Sequence, residues 1–200
     1  KLADLLEFIA GCTGKSLKHW EKWLSRYVDS YATVEPVDGV CFSDQTRDAY
    51  WRTFQPLLGQ ANTLVFLDPD TGLETGTPGY LRKQGREKYL LNSELRSLIT
   101  TLDRSSVLML YQHLPNNKHW HVRGVEKKLD QIRGVDNSVY ACAFREDDLA
   151  FLFISQVREV HQEIQGQLQK YHARSRHKYK SIHCQPSHPE TCGNVSDRLF

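Results

Sequence analysis

Three carboxylates follow a short apolar segment near the centre of the chain. Residues 62–67 read NTLVFL, and Asp68, Asp70 and Glu74 come directly after them. An apolar run of this length predicts a buried strand, and ligands of open α/β sheets bind where the strands end. Carboxylates at such a place can bind Mg²⁺ or accept hydrogen bonds from the exocyclic amine of a base. We therefore expect Asp68 and Asp70 to be catalytic, and all three carboxylates to be the ligands if a metal is bound. The alternative is that the carboxylates only shape a turn with Pro69 and Gly72.

A second polar group follows the next apolar segment. Residues 106–111 read SVLMLY, and Gln112 and His113 come next. If the two strands are parallel neighbours, His113 and Asp68 reach the same edge of the sheet. Histidine exchanges protons near neutral pH, and Gln112 could contact a base edge or orient a water molecule. We expect both residues to be catalytic; the alternative is that they only satisfy loop backbone groups.

Basic side chains alternate with aromatic ones around these two strand ends. This mixture favours contacts with phosphates and stacking on bases. The alternative is an ordinary solvated loop. The expected substrate-binding residues are Tyr80, Arg82, Lys83, Arg86, Lys88, Tyr111, Trp120 and Arg123.

The surrounding periodicity predicts a mixed α/β fold. Two apolar strands joined through a helix at 93–103 indicate a parallel βαβ unit. Residues 138–144 and 149–154 predict an antiparallel hairpin with a four-residue loop. We expect a Rossmann-like mixed sheet with parallel core strands and this hairpin at its C-terminal end. Further helices are expected at about 44–55, 118–133 and 155–171.

The chain divides into three predicted parts. Residues 1–57 should form a helical N-terminal part that packs on the sheet, and residues 58–171 the Rossmann-like core. Residues 172–200 form a basic tail that contains His and Cys and could contact phosphate or a protein partner. Zinc is not expected in the tail, because its cysteines are too far apart for a C-x₂₋₄-C half-site. The zinc ligands considered were His183, Cys184, His188 and Cys192.

Composition excludes several classes of protein. The chain has 26 Lys+Arg and 24 Asp+Glu, a formal net charge of +2, and 40% hydrophobic residues. This balance excludes a histone-like polycation or an acidic disordered chain. No run of 18 apolar residues is present, so no membrane association is expected. The N-terminal residues lack the pattern of a signal peptide, and five widely spaced cysteines fit a reduced, cytoplasmic protein.

Residues 60–155 also resemble a known family. Their predicted elements come in the same order as in the second half of a class I S-adenosylmethionine-dependent methyltransferase. The order is a strand, a turn with Asp68-Pro69, a helix, a second strand, a second helix and a hairpin. In that family the turn grips the target amine, and its aromatic residue stacks on the base. Here Asp70 and Thr71 replace the proline and the aromatic residue of that turn. The glycine-rich cofactor motif has no counterpart, which makes S-adenosylmethionine a doubtful cofactor.

The whole chain is also similar to uncharacterised bacterial and phage-type proteins. They share a Phe-Leu-Asp-Pro-Asp-x-Gly block and a later Tyr-Gln-His.

Three functions follow from the sequence. The first is a degenerate methyltransferase-like domain that binds or modifies nucleic acid. The second is a Mg²⁺-dependent phosphodiester hydrolase (a nuclease), with Mg²⁺ on Asp68, Asp70 and Glu74 and His113 as base. The third is a non-catalytic interaction module that acts through its tail or N-terminal helices.

Overall fold

The computed structural model describes residues 43–76, 78–114, 121–174 and 180–184. The helices expected in the first 42 residues lie outside this part of the chain. Trp120 also lies outside this part, as do His188 and Cys192, two of the four residues that a zinc site in the tail would use. The side chain of Tyr80 also lies outside the description.

The described residues form helices on both faces of a central sheet. The helices are α1 (Arg47–Leu58), α2 (Pro78–Gln84), α3 (Asn92–Thr101), α4 (His121–Val135) and α5 (Arg158–Arg174), with a 3-10 turn at Arg86–Lys88. The strands are β1 (Leu64–Leu67), β2 (Gly72–Leu73), β3 (Tyr89–Leu90), β4 (Val107–His113), β5 (Tyr140–Glu146), β6 (Leu149–Ser155) and β7 (Lys180–Cys184).

The sheet is mixed, with strand order β1-β4-β6-β5-β7. Strands β1 and β4 are parallel, and α3 lies between them in the chain. Strand β6 lies between β4 and β5 and is antiparallel to both. The expected mixed α/β architecture, with a parallel pair and a C-terminal hairpin, is therefore confirmed. Strands β2 and β3 form a separate two-stranded parallel ladder.

The core has a layer on each face of the sheet. Leu95 and Ile99 of α3 share one apolar stripe, and they join Leu129 and Ile132 of α4 in one cluster with the inward side chains of the strands. On the other face, Leu168 of α5 packs in a second cluster with Cys142 and Phe144. Successive side chains of β4 point to these two faces in turn, and they alternate between half-buried and buried for this reason.

Three local features differ from the expected ones. The hairpin turn has two residues rather than four, because pairing continues to Glu146 and Leu149; Asp147 adopts a positive φ of 51°, which aspartate tolerates. The segment between the two strand ends, for which an ordinary solvated loop was the alternative, is partly regular, since residues 72–88 contain β2, α2 and the 3-10 turn. Part of the expected tail is regular, since α5 continues to Arg174 and residues 180–184 pair with β5.

No described helix combines the length and the apolar character that a bilayer crossing requires.

Candidate functional site at the carboxyl edge

Asp68 and Tyr111 lie side by side where the parallel strands end. Leu67 pairs with Leu110 in the β1–β4 ladder, so Asp68, which directly follows β1, comes next to Tyr111 of β4. Desolvation raises the pKa of the Tyr111 hydroxyl, and the negative charges of Asp68 and Asp148 raise it further. The expectation that Asp68 reaches the end of β4 is therefore met. Asp148 was not predicted at this site; it reaches Tyr111 from the β5–β6 turn, whose position depends on the order of the strands in the sheet.

Aromatic rings of different exposure lie beside these carboxylates. The ring centroids of Tyr111 and His113 are 5.0 Å apart in an edge-on arrangement, and those of Tyr111 and Phe151 are 5.5 Å apart. His113 is exposed, and Phe66, two residues before Asp68, is 52% exposed. The strand ends therefore present aromatic surface beside two carboxylates.

Gln112 points to the opposite face and holds the acidic turn in place. Its Oε1 accepts a hydrogen bond from the backbone N–H of Leu73 at 2.9 Å. Its Nε2 donates to the carbonyls of Thr71 at 3.0 Å and His113 at 2.6 Å. The side chain is only 3% exposed, and these bonds use both hydrogens of its amide. Gln112 is therefore a positioning residue that shapes the turn.

Backbone hydrogen bonds align residues 68–74 (the acidic turn) with residues 82–88 (the basic segment) and with the end of β4. The N–H of Thr71 donates to the carbonyl of Lys88 at 3.0 Å, and the N–H of His113 donates to the carbonyl of Thr71 at 3.3 Å. We call this region, made of residues 68–71, Lys88 and residues 111–113, the carboxyl edge. It joins segments that are far apart in the sequence.

Four of the cations expected to bind substrate lie in the basic segment, and the fifth, Arg123, lies on α4. Arg82 and Lys83 occupy the last turn of α2, and Lys88 is the last residue of the 3-10 turn. Arg86 forms an exposed ion pair with Asp44 at 3.4 Å, and Arg123 is exposed on α4. Within the described residues, Lys88 is the cation whose backbone adjoins the acidic turn directly.

A buried arginine fixes the basic segment to the rest of the fold. Arg47 of α1 donates to the carbonyl of Arg86 at 3.0 Å and to the carbonyl of Tyr89. Its guanidinium also pairs with Glu94 of α3, which accepts a further hydrogen bond from Trp51 Nε1 at 2.5 Å. Sequence analysis missed this network, because no local pattern links Arg47 to a partner 47 residues away.

Lys128 of α4 supports the acidic turn from the other side. Its Nζ donates to the carbonyls of Leu73 at 2.9 Å and Glu74 at 2.8 Å, and to Gln131 Oε1 at 3.0 Å. Gln131 Nε2 donates to the same Glu74 carbonyl at 3.0 Å. These bonds use all three donors of the ammonium group, so Lys128 holds the backbone of the turn.

The carboxylates expected to bind a metal are not brought together. Glu74 lies near Lys128, on the α4 side of the sheet, whereas Asp68 lies beside Tyr111 on the other face. Asp70 is exposed in the turn between them. In the part of the chain that the structure describes, no three His, Cys, Asp or Glu side chains form a group that could hold a metal ion.

The buried ammonium of Lys128 predicts a pH dependence of stability. Burial, only partly offset by the negative charge of Glu74, lowers the pKa of Lys128 from 10.5 to about 8. Between these values the unfolded chain binds more protons than the folded one, so this group increases stability as the pH rises. The free energy of unfolding of the wild type, relative to Lys128→Met, should increase by about 2–3 kcal/mol between pH 7 and pH 10. Urea unfolding of both proteins at the two pH values measures it, and a constant or shrinking difference would contradict it.

The described glycines do not fit an S-adenosylmethionine site. Gly72 follows the first parallel strand and has a positive φ of 108°, but a Cβ atom built there would lie 2.4 Å from Gln112 Oε1. The space beside the Gly72 backbone is therefore filled by the Gln112 side chain. Strand β1 is also the last strand of the sheet on its side within the described residues, and no glycine-rich turn of another strand adjoins it there.

Known proteins do not assign the site to a family. No family model matches this chain, and neither a curated protein nor a solved structure is significantly similar to it.

Proposed function

We propose that the carboxyl edge is the nucleic-acid-binding site of a methyltransferase-like domain. The observation that carries this proposal is the pair of backbone hydrogen bonds that joins Lys88 to Thr71 and Thr71 to His113, which brings the backbone of a cationic residue to the edge where Asp68 and the Tyr111 ring lie. A nucleotide needs these three kinds of group: a cation for phosphate, a ring for stacking and a polar group for the base edge. The order of elements after residue 60 supports the methyltransferase-like part of the proposal.

Each group of the edge has a distinct task in this proposal. The Asp68 carboxylate accepts hydrogen bonds from the exocyclic amine of an unpaired base. Tyr111 and His113 offer ring surface to that base. Lys88 neutralises the phosphate next to that base, and Arg82 and Lys83 contact phosphates farther along the nucleic-acid strand.

Apolar surface extends from the edge along the same face of the sheet. A cavity of about 190 Å³ is lined by aromatic and apolar side chains, among them Met109, Phe151, Phe153 and Tyr171. Phe151 also contacts the Tyr111 ring, so the cavity adjoins the carboxyl edge. Aromatic surface of this kind stacks on bases with little dependence on sequence. Its position favours single-stranded over double-stranded nucleic acid, because only unpaired bases expose their faces.

Loss of the Lys88 charge should weaken binding of a single-stranded oligonucleotide. One lost phosphate contact reduces the slope of log K against log salt by about 0.7, and at low salt Lys88→Ala should bind about threefold to tenfold more weakly. Arg104→Ala is the matched control, because Arg104 is exposed in the turn before β4, at the opposite end of that strand. Fluorescence anisotropy at two salt concentrations measures both constants. Equal losses in the two variants, or no binding by the wild type at low salt, would contradict the proposal.

The same titration tests the role of Asp68. Oligo(dC) and oligo(dA) carry exocyclic amines and oligo(dT) does not, so the wild type should prefer the first two. Asp68→Asn keeps the shape but can also donate hydrogen bonds, and it should reduce this preference. An unchanged preference would remove Asp68 from the base contact while leaving the phosphate contact of Lys88 in place.

A further inference from the structure

Two cysteines lie opposite each other at the far side of the sheet. Cys142 of β5 pairs with Cys184 of β7 in the antiparallel register, and both are free thiols. A hydrogen bond joins their side chains. Side chains directly opposite in an antiparallel pair have Cβ atoms about 4.5–5.5 Å apart. The two sulfur atoms are therefore neighbours without any rearrangement of the fold.

The two thiols differ in exposure and in acidity. Cys142 is 0% exposed and packs with Phe144 and Leu168, whereas Cys184 is exposed. Hydrogen bonds to Cys142 and Gln165 lower the pKa of the Cys184 thiol to about 7, although partial burial opposes them. The bond to Cys184 and burial raise the pKa of Cys142. An exposed sulfur that is readily ionised beside a protected one is the arrangement of a redox-sensitive pair.

Gln165 of α5 connects Cys184 to a buried histidine. Its Nε2 lies 2.9 Å from Nε2 of His161, which is only 6% exposed. An amide nitrogen carries two hydrogens, so Gln165 can donate one to the imidazole and one to the Cys184 sulfur. The contact fixes the amide in the orientation that stabilises a thiolate.

We propose that Cys184 is an oxidation site for hydroperoxides and that Cys142 resolves the product into a reversible disulfide. The Cys184 thiolate attacks one peroxide oxygen, the O–O bond breaks, and an alcohol or water leaves after protonation. Cys184 sulfur is oxidised to a sulfenic acid, and the peroxide is reduced. Cys142 sulfur then attacks Cys184 sulfur, the S–O bond breaks, and hydroxide leaves as water with the proton of the Cys142 thiol.

The position of β7 makes this disulfide both accessible and reducible. Disulfides need Cβ atoms about 3.8 Å apart, so β7 must approach β5 by about 1 Å. Strand β7 is the last strand of the sheet on this side within the described residues, which leaves it room to move. The strain that remains favours reduction by thiols, as in regulatory disulfides.

Mass spectrometry of the full chain after treatment with hydrogen peroxide tests the proposal. The major product should be a peptide that joins Cys142 to Cys184, with the loss of two hydrogen atoms, and dithiothreitol should reverse it. In Cys142→Ser, Cys184 should instead gain two or three oxygen atoms, because no resolving thiol is present. In Cys184→Ser, Cys142 should stay a thiol.

Two results would overturn the proposal. The first is a Cys184 that remains a thiol at peroxide concentrations that oxidise a cysteine-containing model peptide. The second is a wild-type product in which Cys184 is linked mainly to a cysteine other than Cys142. Neither result depends on nucleic-acid binding, and circular dichroism of both serine variants shows whether the fold is retained.

Discussion

Glu94→Ala should lower the free energy of unfolding by about 3–5 kcal/mol, because it removes the close counter-ion of a buried arginine and leaves only Asp44, which is 3.7 Å away and more exposed. Glu94 pairs with the guanidinium of Arg47, and Arg47 is only 5% exposed. Glu94 also accepts hydrogen bonds from Trp51 Nε1 at 2.5 Å and from the backbone N–H of Leu91 at 2.8 Å, at the start of α3. Urea unfolding followed by circular dichroism measures the loss.

The matched control for this substitution is Glu163→Ala. Glu163 is an exposed glutamate of α5 that accepts one hydrogen bond from Gln167 at 2.6 Å, so its removal should change the free energy of unfolding by less than about 0.5 kcal/mol. Equal losses in the two variants would show that the buried ion pair contributes nothing specific. The double variant Arg47→Met/Glu94→Leu should lose less than the sum of its single changes, since it removes both charges together.

This ion pair also links stability to the proposed function. Arg47 holds the carbonyls of Arg86 and Tyr89, which flank Lys88. Weakening the pair therefore loosens the backbone that puts Lys88 beside Thr71. We expect Glu94→Ala to weaken oligonucleotide binding even at temperatures where the variant is folded.

The main elements of the fold could be predicted because their signals are local. Apolar runs before Asp68 and before Gln112 mark the parallel pair, and the second pair of runs marks the hairpin. Strands β2 and β3 have two residues each, too few for any periodicity. Strand β7 is half-buried along most of its length, and its sequence KSIHC contains one aliphatic residue. Its pairing with β5 is decided by tertiary contacts.

The candidate site was predictable only in part. The rule that ligands bind at strand ends led to Asp68, Tyr111 and His113, and the register of β1 and β4 brings them together. Alternation along β4 separates Gln112 from His113, and this could have been inferred from the strand period alone. Lys128 gave no signal, because its partners Leu73 and Glu74 are 55 and 54 residues away in the chain.

Gly72→Ala should lower the free energy of unfolding by about 3 kcal/mol and disturb the carboxyl edge. The φ of 108° is outside the range that an alanine adopts without strain, which costs about 1–3 kcal/mol. The new Cβ would also lie 2.4–2.5 Å from the amide atoms of Gln112. If Gln112 moves away, the buried N–H of Leu73 loses its acceptor, at a further cost of about 1–3 kcal/mol.

Gly166→Ala provides the control, because the same methyl group added there meets nothing within 4 Å. Gly166 lies inside α5, where alanine is preferred over glycine, so this variant should gain about 0.5–1 kcal/mol. Opposite signs in the two variants would show that the backbone of the turn, and not the loss of a glycine, determines the effect. A Gly72→Ala protein as stable as the wild type would refute the prediction.

The oligonucleotide titration then separates stability from function. Since Gln112 fixes Thr71 and Leu73, folded Gly72→Ala should bind more weakly, whereas Gly166→Ala should bind as the wild type does.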